Sequence, residues 1–204
     1  MTNARTGFAA RAIVLAAMLM SMLGLARPAV AVELGDDGLH KPAWLRETFK
    51  DVREDFADAR AEGKRLVLIV EQRGCIYCSQ MHEKTFTDPR VRALLETRFF
   101  PVQINLHGDT EIADADGEAL TEKRAVRKWN VMFTPTLIFL PAELDETRSA
   151  VQQAAAVMPG AFGPGTTFDL LTWIAEERYL DQSEEDFQRY HARMIRERGD
   201  GNTE

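Results

Sequence analysis

The chain contains two cysteines, Cys75 and Cys78, in the stretch EQRGCIYCSQMH. A pair separated by two residues can be a structural disulfide, part of a metal site or a redox couple. Structural disulfides usually close long loops, because a long loop constrains the unfolded chain most. Cys75 and Cys78 would close a very short loop, so this spacing favours reactivity over a stabilising role.

The residues around the pair predict which sulfur attacks. Arg65–Glu71 (RLVLIVE) is a nearly continuous apolar run that predicts a buried strand, and a helix is predicted from Ile76 to about Thr85. A cysteine at a helix N-terminus has a lowered pKa, because unpaired backbone N–H groups stabilise the thiolate. We therefore predict that Cys75 is the nucleophile and that Cys78, one turn inward, resolves the mixed disulfide.

Metal binding by the pair is the weaker interpretation. His82 follows Cys78 by four residues and could share a helix face with it, but a closed zinc site needs four ligands. The other histidines, which lack any paired spacing, are His40, His107 and His191. Copper binding with Met81 remains an alternative. We predict that the protein holds no resident metal.

The segment from His107 to Glu118 is acidic and is predicted to be a surface loop. Asp109, Asp114 and Asp116 lack the alternate spacing and the final glutamate of an EF-hand loop. The sequence therefore predicts an acidic loop beside the reactive edge, where it could help to select partners, rather than a calcium site.

The first 31 residues have the features of a secretory signal peptide. Arg5 and Arg11 precede an apolar run from Ala12 to Leu25, and a small-x-small motif ends at Ala31, where we predict cleavage. The run of about 14 apolar residues is shorter than the roughly 20 that span a bilayer. We therefore expect a periplasmic protein in an oxidising compartment.

The predicted mature chain is acidic. The whole chain has 25 Lys and Arg against 32 Asp and Glu, and the leader holds three arginines and no acid. Its removal leaves 22 basic residues against 32 acidic ones, a net charge of −10. This charge argues against nucleic acids and anionic membrane surfaces as partners.

The rest of the chain alternates predicted helices and strands. Helices are predicted at about 41–62, 76–85, 88–98, 121–130 and 166–178, with a last one capped by Ser183, and strands at 65–71, 99–105, 136–140 and, less regularly, 148–153. This order predicts an α/β sandwich, in which chemistry lies where strands end and helices begin. Cys75 occupies such a position.

A second feature is the Thr134-Pro135 dipeptide immediately before the third strand. A proline at the start of a strand can follow a cis peptide bond and turn the preceding backbone toward a substrate. The spacing alone leaves the cis and trans forms open.

A CxxC motif at a strand–helix junction, with Thr-Pro about 60 residues later, resembles the thioredoxin superfamily over roughly residues 64–179. In detail the chain looks like the periplasmic SoxW-type thioredoxins of bacterial sulfur-oxidation systems. The motifs that carry this likeness are Glu71-Gln72, Gly74-Cys75, Tyr77-Cys78, Met81-His82, Asp88-Pro89, Gln103-Ile104-Asn105, Gly108-Asp109, Asp116-Gly117, Leu120-Thr121 and Phe133-Thr134-Pro135-Thr136-Leu137.

The resemblance implies a thioredoxin fold, a central mixed sheet flanked by helices, here with an added N-terminal helix and a C-terminal helix. It implies thiol–disulfide exchange without a cofactor, with substrate bound by Tyr77, Thr134 and a cis Pro135. Protein thiols or disulfides would be the substrates. A membrane thiol transporter would donate electrons, which would pass to an oxidised cysteine on a sulfur-carrier protein.

The expected organisation is a signal peptide (1–31), an N-terminal extension with a helix (32–63), a thioredoxin-like domain (64–180) and a C-terminal helix and tail (181–204). One departure from thioredoxin proper concerns proton transfer, because Ile69 stands where that family buries an aspartate. We hypothesise that Glu71, the nearest acid, accepts the proton of Cys78.

Two other functions stay open at the level of sequence. The Cys-x-Tyr-Cys centre also occurs in isomerase-like relatives, so a disulfide oxidase or isomerase of exported proteins is one alternative. A non-catalytic copper- or zinc-binding module on the same scaffold is the other.

Overall fold

A computed structural model describes residues 33–181, 183 and 185–199, so the predicted signal peptide lies outside the described residues. The strands of this part are β1 (Arg65–Glu71), β2 (Phe99–Asn105), β3 (Glu111–Ala113), β4 (Ala119–Thr121), β5 (Thr136–Phe139) and β6 (Ala156–Pro159). The α-helices are α1 (Val52–Ala61), α2 (Ile76–Gln80), α3 (Pro89–Arg98), α4 (Glu122–Lys128), α5 (Pro164–Ala175) and α6 (Phe187–Arg198). A π-helical turn, Met81–Thr85, continues α2, and 3-10 turns lie at Val151–Gln153 and Arg178–Leu180.

The central sheet has the strand order β2-β1-β5-β6. Strand β1 pairs in parallel with β2 and antiparallel with β5, and β6 pairs antiparallel with β5. The predicted mixed sheet flanked by helices is therefore confirmed. The sheet places the carboxyl ends of β1 and β2 side by side, since Glu71 is in register with Asn105.

Strand β1 is buried on both faces of the sheet, which explains why it is apolar between its two charged ends. Successive side chains of a strand point to opposite faces. Val67 and Ile69 pack on one side with residues of α3 and α5, and Leu68 and Val70 pack on the other with residues of α1 and α4.

The N-terminal helix is shorter than predicted. Lys50 has a positive φ of 58° and Asp51 caps the helix through its carboxylate, so α1 begins only at Val52. The preceding residues cross the edge of the sheet instead, where Arg46 forms a parallel bridge with Val102. Phe49, which lies within the predicted helix at about 41–62, is outside the observed helix and is 92% exposed.

Three other predicted elements differ in the structure. The strand expected at 148–153 is a 3-10 turn, and the fourth sheet strand is β6, further along. The segment predicted as a surface loop, 107–118, contains β3, which forms a hairpin with β4 directly after it. Ser183 does not cap the last helix, because the carboxylate of Asp186 accepts from the backbone N–H of Arg189 and does so instead.

Three carboxylates of the acidic segment pair with one lysine, Lys128 of α4. The Nζ atom of Lys128 lies 2.9 Å from Asp114, 2.6 Å from Asp116 and 2.9 Å from Glu118. Burial lowers the pKa of Lys128, but hydrogen bonds to the three carboxylates outweigh it and raise that pKa above its ordinary value. Within the described residues no group of three or more acidic, histidine or cysteine side chains is arranged to hold a metal ion.

The C-terminal helix α6 packs on the domain against α5. Both Nη atoms of Arg198 donate to the buried carboxylate of Asp169, at 2.7 and 2.8 Å. His191 lies 2.6 Å from the same carboxylate, and the Phe187 ring packs edge-on against Trp173. In the described part of the chain, no helix has the length and apolar character needed to cross a bilayer.

Candidate active site

The site begins where β1 ends and α2 starts. Gly74 turns the chain with a φ of 71°, a left-handed conformation that glycine adopts without a side-chain clash. Cys75 is the N-cap of α2, and its sulfur accepts the backbone N–H of Cys78 at 3.0 Å. The strand and the capped helix together hold this sulfur at the sheet edge.

Cys75 and Cys78 are joined in a disulfide. Cys75 is 9% exposed, whereas Cys78 is 2% exposed and lies inside the first turn of α2. The sulfur closer to solvent also receives the helix N–H. These positions fit the predicted roles, in which Cys75 attacks and Cys78 resolves.

The Thr134–Pro135 segment lies directly against Cys75. The peptide bond between the two residues is cis, which is what the resemblance implied. The hydroxyl of Thr134 lies 3.3 Å from the sulfur of Cys75, and the carbonyl oxygen of Thr134 lies 3.5 Å from it. The two motifs singled out in the sequence are therefore brought together.

An open groove of about 610 Å³ runs beside the pair. It is lined by Gln72, Gly74, Cys75, Ile76, Tyr77, Met132, Phe133, Thr134, Pro159, Gly160 and Ala161. Ile76, Tyr77, Met132 and Phe133 are between 57% and 76% exposed. Large apolar side chains clustered at a surface typically mark a binding site. Tyr77, one of the predicted substrate-binding residues, belongs to this cluster.

Glu71 is buried rather than solvent-facing. Its side chain is 1% exposed, one carboxylate oxygen lies 2.9 Å from Nε2 of His82, and the other accepts from Nε2 of Gln103 at 2.6 Å. Gln103 in turn accepts from Nζ of Lys41 at 2.6 Å. The hypothetical proton acceptor is therefore paired with a histidine that stands one turn after Cys78.

His82 is covered by aromatic rings from the N-terminal extension. Its ring stacks on His40 with centroids 4.4 Å apart, and Trp44 lies parallel to it at 6.2 Å. Burial, together with the nearby His82, lowers the pKa of His40. Met81 and His82 are both buried.

The sequence interpretation overlooked Gln72 and His107. Gln72 follows the last residue of β1, and His107 comes two residues after the end of β2. Nε2 of His107 lies 3.1 Å from Oε1 of Gln72, and Nε2 of Gln72 donates to the Thr134 hydroxyl at 3.0 Å. The parallel pairing of the two strands was a usable signal, because the ends of adjacent parallel strands meet at one edge.

Comparison with known proteins identifies the fold. The sequence model of the thioredoxin-like domain matches residues 52–151. A thioredoxin-fold protein from Helicobacter pylori superimposes with a TM-score of 0.51 at 15% identity, covering 72% of this chain and 98% of that chain. A thioredoxin from Thermus thermophilus gives a TM-score of 0.51 at 20% identity, covering 67% and 94% of the two chains. No curated protein matches the sequence significantly. The described part of the chain therefore has a thioredoxin fold, and residues 52–151 are similar in sequence to the thioredoxin-like domain.

Proposed function

We propose that this protein is a periplasmic thiol–disulfide oxidoreductase, and that it works as a reductant of protein disulfides. One observation carries the proposal: the Cys75–Cys78 disulfide caps a helix, with the sulfur of Cys75 opening on an exposed apolar groove. A buried staple would need neither the exposed edge nor the groove.

The geometry supports a two-step exchange. The reduced protein attacks a substrate disulfide with the Cys75 thiolate, which forms a mixed disulfide and releases one substrate thiolate. Cys78 then loses its proton and attacks the sulfur of Cys75, which releases the second substrate thiolate and closes the intramolecular disulfide. Two electrons pass to the substrate, and the cysteine pair is oxidised in the same step.

The groove favours a polypeptide substrate. An extended segment with apolar side chains beside its cysteine would cover Ile76, Tyr77 and Phe133 and bring its sulfur to Cys75. Thr134 lines the groove against the sulfur of Cys75, and the cis bond to Pro135 sets its backbone direction, so both residues are proposed to bind that segment as well. The chemistry needs no cofactor other than the cysteine pair, and no metal.

The direction of electron flow and the partners are proposed from the resemblance to SoxW-type thioredoxins. Electrons would arrive from a membrane thiol transporter and leave to an oxidised cysteine on a sulfur-carrier protein. The signal-peptide features of residues 1–31, with cleavage near Ala31, support export to the periplasm.

The deciding experiment is equilibration of the protein in graded dithiothreitol and glutathione buffers, with the Cys75–Cys78 redox state read by thiol labelling. We expect a reversible two-electron transition at a potential near that of thioredoxin, about −270 mV. A value near about −120 mV would mean an oxidant of exported proteins. The lack of any reversible transition would overturn the proposal.

A further inference from the structure

A chain of hydrogen bonds leads from the protein surface to the reactive sulfur. It runs from His107 to Gln72 at 3.1 Å, from Gln72 to the hydroxyl of Thr134 at 3.0 Å, and from that hydroxyl to the sulfur of Cys75 at 3.3 Å. We propose that Gln72 and His107 are positioning residues that aim the Thr134 hydroxyl hydrogen at Cys75 and so stabilise its thiolate. The inference rests on the proposed function, because only a reactive Cys75 uses this assistance.

The donor directions follow from the chemistry of each group. The sulfur of Cys75 has no hydrogen in the disulfide or the thiolate, so it can only accept. The single hydrogen of the Thr134 hydroxyl is then committed to the sulfur, and its oxygen must accept from the amide nitrogen of Gln72.

The same reasoning determines the donor and the acceptor in the hydrogen bond between Gln72 and His107. With its amide nitrogen turned to Thr134, Gln72 presents its carbonyl oxygen to His107, so Nε2 of His107 must carry a hydrogen. Every bond in the chain therefore points its hydrogen toward Cys75. Bonds aligned in one direction polarise one another, which strengthens the last donor.

The orientation of the hydroxyl matters because the rest of Thr134 opposes the thiolate. Its carbonyl oxygen lies 3.5 Å from the sulfur and would repel a negative charge there. If the Thr134 hydroxyl rotated so that its hydrogen pointed away from the sulfur, its oxygen lone pair would also face the negative charge of the thiolate. Gln72 prevents this rotation. The backbone N–H of Cys78, at 3.0 Å, is the other donor to the sulfur.

The two positioning residues lie where they can act without being part of the core. Gln72 is half-buried at the end of β1, and His107 is exposed just beyond β2. Neither contributes to the two apolar clusters that stabilise the sheet. Their replacement should therefore leave the fold intact, so that changes at Cys75 report on positioning.

The test is a pH titration of the Cys75 thiolate in the reduced protein, followed by ultraviolet absorbance and by the rate of alkylation. The variants are Gln72→Met, His107→Phe, Thr134→Val and Thr134→Ser, with Gln80→Met as a matched control on the exposed side of α2. Gln72→Met keeps the size and shape of the side chain while removing both hydrogen bonds.

We expect Thr134→Val to move the midpoint of the Cys75 titration to higher pH, because the thiolate loses one charge-assisted hydrogen bond. At a pH below the midpoint, the fraction of Cys75 present as thiolate should fall about tenfold. Gln72→Met and His107→Phe should also lower the thiolate fraction, by about threefold or less. Thr134→Ser keeps the hydroxyl and should titrate with the wild-type midpoint. Because Gln72 acts through Thr134, Gln72→Met should add nothing in the Thr134→Val background.

An unchanged midpoint in Gln72→Met, or equal effects of Gln72→Met with and without Thr134→Val, would overturn the inference. Failure of the proposed function is separate, because it would show as a wild-type cysteine pair that does not cycle reversibly in thiol buffers. A wild-type pair that cycles, with variants that titrate identically to it, would reject only the positioning chain.

Discussion

The carboxylate of Glu71 and the imidazole of His82 form a pair 2.9 Å apart, with each side chain only 1% exposed. Glu71 ends the strand that leads to the cysteines, and His82 stands four residues after Cys78 along the helical segment. The pair lies beneath rings of the N-terminal extension, where water does not reach it. The pair is buried, and His82 follows Cys78 by one helical turn along the chain, so Glu71 stays our hypothesis for the group that accepts the Cys78 proton.

The first prediction concerns this pair. Glu71→Gln removes the carboxylate and should slow the resolution of the mixed disulfide at least about tenfold at neutral pH, because a positioned base contributes at least that much to a proton transfer. Stopped-flow reduction of glutathione disulfide across pH would measure it. An unchanged pH profile would show that Glu71 is not the acceptor, and Asp55→Asn serves as a matched control that removes a different buried carboxylate.

The second prediction separates the roles of the two sulfurs. Cys78→Ser leaves Cys75 able to attack but removes the resolving thiol, so mixed disulfides with substrate proteins should accumulate. Cys75→Ser should trap almost nothing, because Cys78 is 2% exposed. Non-reducing electrophoresis of the two variants purified from the same cells gives the comparison. Equal trapping by both variants would contradict the assigned order of attack.

The third prediction concerns pH and stability at Asp55. Burial, opposed by a hydrogen bond from Thr48 and reinforced by Asp51, raises the pKa of Asp55 from 3.8 to about 6. The unfolded chain loses this proton near pH 4 but the folded chain keeps it until about pH 6, so stability falls as the pH rises through that window.

Asp55→Asn should abolish this loss and make the protein more stable by about 2 kcal/mol at neutral pH. Urea unfolding at several pH values would measure the difference between the variant and the wild type. A constant difference between pH 4 and pH 6 would contradict the assignment of the titration to Asp55.

The fourth prediction concerns the attachment of α6. Arg198→Met leaves the carboxylate of Asp169 without the guanidinium that binds both its oxygens, which should cost about 2–4 kcal/mol of unfolding free energy. Arg196→Met, on the exposed face of the same helix, is the matched control and should be close to neutral. Equal losses from both variants would mean that the buried ion pair does not hold the helix.

The sequence predicted the parts of the fold that local patterns determine. β1 and β2 are rich in apolar residues, and α3 begins at a proline preceded by an N-capping Asp88, so all three have the expected bounds. The helix that begins after Cys75 was also expected, and only its π-helical end was not.

The elements that were predicted wrongly are those whose form depends on tertiary contacts. β6 includes one alanine and a proline, which carry little strand preference, and it forms because Met158 pairs with Leu137 in the neighbouring strand. α1 was extended too far because Leu45 and Phe49 keep a helical spacing by coincidence, while the chain there runs along the sheet.

The contacts within the site likewise depend on residues that lie far apart in the sequence. The approach of Thr134 to Cys75 was implied by family resemblance, since the two residues are 59 positions apart in the chain. The partnership of Glu71 with His82, and that of Gln72 with His107, joins separate elements and could not be read from spacing within either one. Parallel pairing of β1 and β2 is the physical cause of the second.

The segment that precedes α1 also has a consequence for self-association. Arg46 donates its backbone N–H to the carbonyl of Pro101 at 2.8 Å, and its guanidinium covers the ring of Phe100. This contact occupies the outer edge of β2, where unpaired backbone groups would otherwise invite a strand from another molecule. At the opposite edge β6 is four residues long and ends in a proline, which cannot donate to a growing ladder. Both edges of the sheet are therefore poor templates for the addition of a strand from another molecule.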